Sequence, residues 1–377
     1  MEQAIRNARV VTRDEDFIGS VLVRDGMIAA VDRGPGAVGE DFDGDVLMPG
    51  VIDLHTDALE RHFFPRPNID WNPVSAAVTH DAACLSVGVT TVFDSLSVGT
   101  YNANIALDRE NLCRLTEGLL AARDAGMFRA DHRIHWRCET TSDELTERLP
   151  PMAEHPMTAL FSMMDHTPGQ RQYRNIELHL GHWRARGMNE NEVARRLDDI
   201  RARQARNAAG NARFVAELAK AKGAALASHD DEDVEHVDQA ADLGATMAEF
   251  PVTRQAAERA HARGMTVVMG GPNLIRGGSY SGNVPASELA GAGLLDAFAS
   301  DYVPRSLVEC VFALASSPFG WSLPSAVASV TATVAAAVGL HDRGEVAKGR
   351  RADLLRVRRI AGLPVLRGAW VAGERAA

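Results

Sequence analysis

Long hydrophobic runs are absent from this sequence of 377 residues. The most apolar stretch, residues 327–340, is interrupted by Ser and Thr, whereas a helix that spans a bilayer needs about 20 consecutive apolar residues. The first residues, MEQAIRNARVVTRDEDF, are charged from the start and lack the apolar core of a secretory signal peptide. We therefore expect no membrane partner, and we interpret residues 327–340 as a buried helix.

Cysteine is scarce, and basic residues are outnumbered. The four cysteines, Cys84, Cys113, Cys138 and Cys310, lie far apart without a CxxC pair, which is typical of free thiols in a reducing cytoplasm. Fifty acidic against forty basic residues give a net charge of -10, the opposite of the balance found in most nucleic-acid-binding proteins. We therefore expect a cytoplasmic protein with no nucleic-acid partner, although a local basic patch could still bind an anionic small molecule.

Eight apolar segments alternate with helical stretches rich in Ala, Arg and Glu, a pattern that predicts a parallel (α/β)8 barrel of the TIM type. The expected strands are residues 51–54, 89–94, 133–138, 159–164, 225–228, 245–250, 266–269 and 295–299. Both ends of the chain have instead the alternation and turn residues of short strands. We predict a small β-subdomain from residues 1–49 plus 341–377, and a hydrolase barrel from residues 50–340.

Polar residues stand at the carboxyl ends of the expected strands, where TIM barrels place their catalytic groups. The first strand runs into His55-Thr56-Asp57, and residues two apart in a strand point to the same face. The residues at or after later strand ends are Asp94, Glu139, His166, His229, Glu249 and Asp301. Each alone is more often a hydrogen-bonded structural residue, but a shared metal ion would remove the cost of burying several of them together. Nitrogen and oxygen donors without thiolates fit zinc, manganese or iron equally.

Two other polar features have simpler interpretations. The charged stretch 194–223 interleaves acids with its arginines and lacks a stacking series of aromatics, so we interpret it as a solvated barrel helix. His80 and Asp81 follow no expected strand. We expect them to orient substrate or to support the ligands, and we do not place them on a metal.

Several long motifs resemble the amidohydrolase superfamily, and within it the triphosphate diphosphatase family of the carbon–phosphorus lyase pathway. They are PGVIDLHTD, HTDALERHFFPRP, HDAACLSVGVTTVFDSL, FSMMDHTPGQRQY, LASHDD, AEFPVT, MGGPNLIRGGSYSGN, SDYVPRSL and GRRADLL, and they run from one end of the chain to the other. The superfamily hallmark after the first strand is His-x-His, and the Asp57 found here instead occurs in that family. The resemblance implies phosphonate catabolism, with hydrolysis of alpha-D-ribose 1-methylphosphonate 5-triphosphate to 5-phospho-alpha-D-ribose 1-methylphosphonate and pyrophosphate.

The same resemblance implies two divalent metal ions, of zinc, manganese or iron. His55, Asp57 and Asp301 would hold one ion, while His166 and His229 would hold the second, with Glu139 bridging or shared. Catalysis would depend on Asp301, as the base that takes a proton from water, and on His229. A homo-oligomer is also compatible with the resemblance.

Substrate recognition is expected from residues around the barrel mouth. The stretch 270–283 is rich in glycine, which lets backbone N–H groups approach phosphate oxygens, and Arg276 offers a planar fork for the same anion. The expected substrate-binding residues are Arg66, Gln170, Arg171, Arg276, Gly277, Gly278, Ser279 and Asn283. Tyr280 stands where the family is expected to have His. The alternative interpretation of this stretch is a flexible surface loop with solvated arginines.

Two other functions remain open from the sequence. The superfamily as a whole suggests hydrolysis of a C–N bond by a deaminase or a cyclic amidase, although Asp57 and the stretch rich in Arg and Gly argue against it. A barrel that binds a ligand without catalysis would leave the dense set of histidines and acids unexplained. Pyrophosphate release against ammonia release distinguishes the two hydrolases, and metal content tests the third interpretation.

Overall fold

The two ends of the chain form one sheet of eight strands in the computed structural model, which describes residues 2–66, 69–99, 109–279, 281–316 and 318–377. These strands are β1 (Glu2–Val11), β2 (Asp16–Arg24), β3 (Met27–Arg33), β4 (Glu40–Asp41), β5 (Val46–Pro49), β14 (Leu354–Ile360), β15 (Leu363–Val371) and β16 (Glu374–Arg375). Strand β5 pairs in parallel with β1 and antiparallel with β14, so main-chain hydrogen bonds join the two terminal segments. The expected β-subdomain is confirmed, while its boundaries at residues 49 and 341 stay predictions.

The β-subdomain has a small core of its own. The rings of Phe42 and Trp370 stack with their centroids 5.8 Å apart, and both side chains are almost completely excluded from solvent. Ile5, Val21 and Leu354 are buried in the same cluster. Because these residues come from both ends of the chain, the subdomain is complete only when the last strands are in place.

The central part of the chain forms a barrel of eight parallel strands in sequential order. Its strands are β6 (Val51–Thr56), β7 (Val89–Val98), β8 (Asp131–Glu139), β9 (Thr158–Met164), β10 (Ala225–His229), β11 (Met247–Glu249), β12 (Thr266–Gly270) and β13 (Ala297–Ala299). Every residue of β6 and β7 is buried, as expected for strands that have the barrel interior on one side and helices on the other. The predicted (α/β)8 barrel is confirmed.

The barrel closes between its first and last strands at their carboxyl ends. A parallel bridge joins Thr56 to Asp301, the Asp57 N–H donates to the Asp301 carbonyl at 2.8 Å, and the Asp301 N–H donates to the His55 carbonyl at 2.9 Å. The hydrogen bonds that close the ring therefore bring Asp301 beside the His55-Thr56-Asp57 motif.

Helices surround the barrel and decorate its mouth. They are α1 (Ala58–Phe63), α2 (Pro73–Ser86), α3 (Arg109–Asp124), α4 (Leu145–Ala153), α5 (Ile176–Ala185), α6 (Glu190–Lys222), α7 (Val234–Asp242), α8 (Arg254–Ala262), α9 (Gly271–Arg276), α10 (Ala286–Gly291), α11 (Ser306–Ala315), α12 (Leu323–Ala328) and α13 (Ala332–Ala337), with a 3-10 turn at Arg171–Tyr173. Helix α6 begins with a capping box between Asn189 and Glu192 and ends at Gly223, whose φ of 62° lies in the left-handed region. Among the described residues, no helix combines the length and apolar character that a membrane crossing requires.

Three strands and one helix differ from the expectation. Strand β7 continues to Val98, so Asp94 lies in the middle of a strand and not at its end. Strands β11 and β13 have only three residues each, because the flanking residues turn away from the sheet. Residues 327–340 do not form one helix: α12 and α13 are separated near Ser329 and Thr331, whose hydroxyls donate to main-chain carbonyls three and four residues earlier.

Candidate active site

A cavity of about 770 Å³, partly open to solvent, occupies the carboxyl end of the barrel. One side is lined by residues at the strand ends, including His55, His166, His229 and Asp301. The other side is lined by residues of the stretch 270–284 that follows β12. The cavity is therefore formed largely by the two groups of residues that the sequence singled out.

Glu249 holds two imidazoles at the cavity floor. Its carboxylate lies 3.3 Å from Nδ1 of His55 and 3.1 Å from Nδ1 of His229, and the rings of these histidines stack at 5.5 Å. Burial favours the neutral acid, but the neighbouring imidazoles outweigh it and lower the pKa of Glu249 well below its usual value. The carboxylate thus orients both rings through their Nδ1 atoms, while Nε2 of each ring approaches a second carboxylate, Asp57 for His55 and Asp230 for His229.

A second group of donors lies beside the first. Nδ1 of His166 is 2.6 Å from the Glu139 carboxylate, and the His166 and His229 rings are 6.3 Å apart. Asp230 approaches Nε2 of His229 to 3.4 Å. Although burial opposes protonation, Glu139 raises the pKa of His166. His229 therefore stands between the two groups.

The chemistry of these donors fits metal ions. One donor atom from each of His55, His135 and Glu249 lies within 4.8 Å of the other two, and the same holds for His166, His229 and Asp230. Bonds of about 2.0–2.2 Å allow two ligands of one ion to be up to about 4.4 Å apart, so small rotations of these side chains would complete either site. Both sets contain only imidazole and carboxylate donors. The structure thus contains clusters that could bind metal.

Asp57 has an arginine as its nearest partner. Its Oδ1 accepts a hydrogen bond from Nη1 of Arg137 at 2.6 Å and lies 3.6 Å from Nε2 of His55. Burial alone would raise the pKa of Asp57, but Arg137 and His55 together lower it below the ordinary value. Asp57 is therefore a carboxylate held ionised behind Arg137 and His55, which line the cavity while Asp57 does not, and its role as a metal ligand stays a prediction.

Asp301 is the acid whose ionisation the site opposes. Burial, reinforced by the charge of Asp57, raises the pKa of Asp301 to about 6. Its backbone has a φ of 55°, and Asp230 and Phe250 also have positive φ values, of 56° and 55°. Residues other than glycine rarely adopt this conformation, so three barrel strands leave the sheet through strained residues around one cavity.

The comparisons with known proteins identify the family. No protein-family model matches the chain. The alpha-D-ribose 1-methylphosphonate 5-triphosphate diphosphatase of Escherichia coli (strain K12) is 38% identical over 376 residues, which cover 98% of this chain and 99% of that protein. The chain belongs to this diphosphatase family.

Solved structures agree on the fold. D-hydantoinase superposes with a TM-score of 0.61 at 16% identity, covering 100% of this chain and 95% of that one. The N-isopropylammelide isopropylaminohydrolase of Burkholderia multivorans ATCC 17616 gives 0.64 at 17% identity, with 100% and 98% covered. The 5-methylcytosine deaminase of Klebsiella pneumoniae gives 0.63 at 16% identity, with 100% and 97% covered. This diphosphatase-family chain therefore shares its overall fold with these proteins.

The glycine-rich stretch forms one wall of the cavity. Arg276, Gly278, Ser279 and Asn283 line it, and Nη1 of Arg276 lies 3.4 Å from the hydroxyl of Tyr302. Gly277 ends α9 with a φ of 82° and does not line the cavity directly. Tyr280, where the family is expected to have His, lies outside the described residues.

The other residues expected to contact substrate do not line the cavity. Nη1 of Arg171 donates to the His229 carbonyl at 2.9 Å and to Asp231 at 2.7 Å, so this side chain supports the loop that carries His229. Gln170 and the exposed Arg66 do not line the cavity, whereas Gln172, which the sequence did not single out, does. Contact of Arg66, Gln170 and Arg171 with substrate stays a prediction.

Other residues of the site, besides Gln172, were missed or underrated in the prediction from sequence. Arg137 and His135 belong to an inward-facing row with Glu139 at alternate positions of β8, and this period of two was the available signal. Asn273 has no such signal: its amide bonds the Val284 carbonyl and the Ala286 N–H, which holds both ends of the cavity wall together. Glu249 ended an expected strand but received no metal role.

Proposed function

We propose that the protein is a metal-dependent hydrolase that converts alpha-D-ribose 1-methylphosphonate 5-triphosphate to 5-phospho-alpha-D-ribose 1-methylphosphonate and pyrophosphate. The observation that carries this proposal is the 38% identity, over nearly the whole of both chains, to a protein with that activity. The cavity supports it with the mixture of histidines, acids and arginine that phosphoanhydride hydrolysis requires. A cytoplasmic location and a homo-oligomeric assembly stay predictions.

The ligand assignment is part of the proposal. His55, Asp57 and Asp301 would hold one divalent ion, and His166 and His229 a second, with Glu139 shared. Such ions supply a water of lowered pKa and neutralise phosphate charge. The geometry adds Glu249 as the carboxylate that aims His55 and His229, with distances of 3.3 and 3.1 Å to their Nδ1 atoms. Zinc, manganese and iron all suit these donors.

Proton transfer and substrate binding fall to different side chains of the protein. Asp301 lines the cavity and accepts the proton of the attacking water at its carboxylate. Arg276 and the N–H groups of the adjacent glycines bind phosphate oxygens that do not react. Arg137 keeps positive charge beside Asp57 at the edge of the same cavity. Charge recognition and proton transfer are thus carried by different residues.

The decisive experiment identifies the bond that is broken. The metal-loaded protein is incubated with the ribose methylphosphonate triphosphate, and phosphorus NMR follows the products. We expect pyrophosphate and the 5-phosphate in equal amounts, and loss of both in the His166→Ala variant. Release of orthophosphate would contradict the position of cleavage. Ammonia released from an aminopyrimidine, or ring opening of a cyclic amide, with no pyrophosphate from the triphosphate, would instead establish the C–N hydrolase.

A further inference from the structure

A second group of metal-type ligands lies outside the barrel wall. We call His80, Cys84, Asp94 and His132 the outer cluster. Asp94 shares a face of β7 with Val92 and Leu96, which pack into the core between strands and helices, whereas Phe93 packs inside the barrel. His132 lies on the same outer side of β8, and His80 and Cys84 come from α2. The outer cluster is therefore on the opposite side of the strands from the cavity.

Three of the four side chains converge on a small volume, and the thiol of Cys84 adjoins one of them, His80. Oδ1 of Asp94 is 2.9 Å from Nε2 of His80, and Oδ2 is 2.8 Å from Nδ1 of His132. One donor atom from each of these three residues lies within 4.8 Å of the other two. Cys84, one helical turn after His80, brings its Sγ to 3.6 Å from the same Nε2. Two nitrogens, one oxygen and one sulfur form the donor set of a four-coordinate zinc site.

Burial and unmet polar atoms set the outer cluster apart from an ordinary hydrogen-bond network. The side chains of His80, Asp94 and His132 have no solvent exposure. Among the described residues, neither Oδ1 of Asp94 nor Nε2 of His132 makes a hydrogen bond of acceptable geometry. The 2.9 Å approach of His80 to Asp94 thus lacks the angles of a hydrogen bond. Nδ1 of His132 does bond Oδ2 of Asp94 at 2.8 Å, but Oδ1 of Asp94 and Nε2 of His80 face each other without a bond between them, as expected when a cation belongs there.

The charges of the neighbourhood favour a cation as well. Asp81 lies 3.5 Å from Nε2 of His132, so two buried carboxylates face one imidazole, and Arg129 approaches Asp81 from the exposed side at 3.3 Å. Burial, with Asp94 and other acids, raises the pKa of the Cys84 thiol well above its usual value. A divalent ion would compensate the carboxylates and release the thiol proton to solvent as the metal–sulfur bond forms.

We propose that His80, Cys84, Asp94 and His132 bind a structural zinc ion that fastens α2 to the outer faces of β7 and β8. Four protein ligands leave no open coordination position, which distinguishes a structural from a catalytic zinc. Strand β8 carries Arg137 and Glu139 on its other face, so the ion supports the wall of the cavity from behind. The proposal does not depend on which bond the enzyme hydrolyses.

Cobalt binding tests the proposal, because the outer cluster includes a cysteine whereas the donor groups of the cavity include none. The full-length protein is stripped with a chelator, reloaded with Co²⁺ and examined for the near-ultraviolet charge-transfer band of a cobalt–thiolate bond. We expect the band in the wild type and in Cys138→Ser, a control that removes a different buried cysteine, from β8. We expect its loss in Cys84→Ser, with about one ion per chain less by elemental analysis.

The results that overturn the proposal are equally specific. A wild-type cobalt protein without the band, or a Cys84→Ser protein that keeps it, removes Cys84 and the four-ligand site. The His166→Ala variant must retain the band, since its ligand belongs to the cavity. Should Cys84→Ser fail to fold, zinc-edge X-ray absorption of the wild type decides: a sulfur neighbour at about 2.3 Å supports the site, and nitrogen and oxygen neighbours alone overturn it.

Discussion

Asp301 combines burial with a neighbouring carboxylate, Asp57, and both raise its pKa, to about 6. In the unfolded chain its pKa returns to about 3.9, so the folded state binds the proton more tightly. The stability due to this residue is therefore fully present below pH 4 and is lost as the pH rises from 4 to 6. In the absence of metal, the ionised carboxylate then destabilises the fold by up to about 3 kcal/mol.

We therefore expect Asp301→Asn to be more stable than the wild type at pH 8 when both are stripped of metal, and to lose about half of that advantage at pH 5. Urea unfolding of the two chelator-treated proteins measures the difference. With metal restored, the same variant should lose kcat at saturating substrate, because the proposed base is gone. Equal stabilities at both pH values would show that Asp301 has an ordinary pKa.

Arg276 separates recognition from chemistry. Its side chain lines the cavity beside Tyr302 and forms no ion pair that the structure records, so the guanidinium is available to an anion. Replacing it by Ala should lower kcat/KM for the triphosphate by roughly ten- to a hundredfold, the cost of one charge-assisted hydrogen bond, with metal content unchanged. Arg254→Ala, an exposed arginine of α8 paired with Glu258, is the control. Unchanged kinetics would remove Arg276 from the substrate site.

Arg137 and Asp57 form an ion pair, which keeps the aspartate of the His-x-Asp motif ionised. Breaking a part-buried pair leaves one charge uncompensated, so Arg137→Met and Asp57→Asn should each destabilise the protein. The double variant should lose less than the sum, with a coupling of about 1–3 kcal/mol in urea unfolding. Strict additivity would mean that the 2.6 Å contact contributes nothing in solution.

At the scale of elements, the order of strands and helices could be predicted because each barrel strand is an apolar run bounded by turn residues. The lengths of β7, β11 and β13 could not, since they depend on where a neighbouring strand stops offering hydrogen bonds. The alternation of β8 placed Arg137 on the same face as Glu139, but an arginine inside a strand does not reveal whether it faces solvent or an acid. Hydrogen bonds between distant positions, such as those of Asn273, have no local sequence signal.

The side chain of Asn273 joins the two ends of the stretch that follows β12. Asn273 donates to the Val284 carbonyl at 3.2 Å and accepts from the Ala286 N–H at 2.9 Å, which closes the cavity wall into a loop. Asn273→Ala should raise KM for the triphosphate more than it lowers kcat, and should cost about 1–3 kcal/mol in stability. Steady-state kinetics measures the first effect and thermal unfolding the second. Asn191→Ala on the exposed face of α6 serves as the control. A fall in kcat without a change in KM would instead indicate that Asn273 acts on the reacting groups.

For the whole molecule, we expect the β-subdomain to contribute to stability and not to catalysis. Trp370 comes from the C-terminal segment, is 1% exposed and packs on Phe42 from the N-terminal one. Trp370→Ala should lower the free energy of unfolding by about 3–5 kcal/mol. Its kcat, measured well below the melting temperature, should stay unchanged, and the exposed Trp71 is the matched control for stability. A fall in kcat with retained folding would instead connect the subdomain to the cavity.

The closure of the barrel also sets an order of events during synthesis. Strand β6 carries His55 and leads into Asp57, and the main-chain bonds that hold Asp301 against them come from the segment after β13, almost 250 residues later. A nascent chain therefore contains every imidazole of the cavity before it contains the carboxylate of Asp301. The circle of barrel strands can close only after residue 301 has been synthesised.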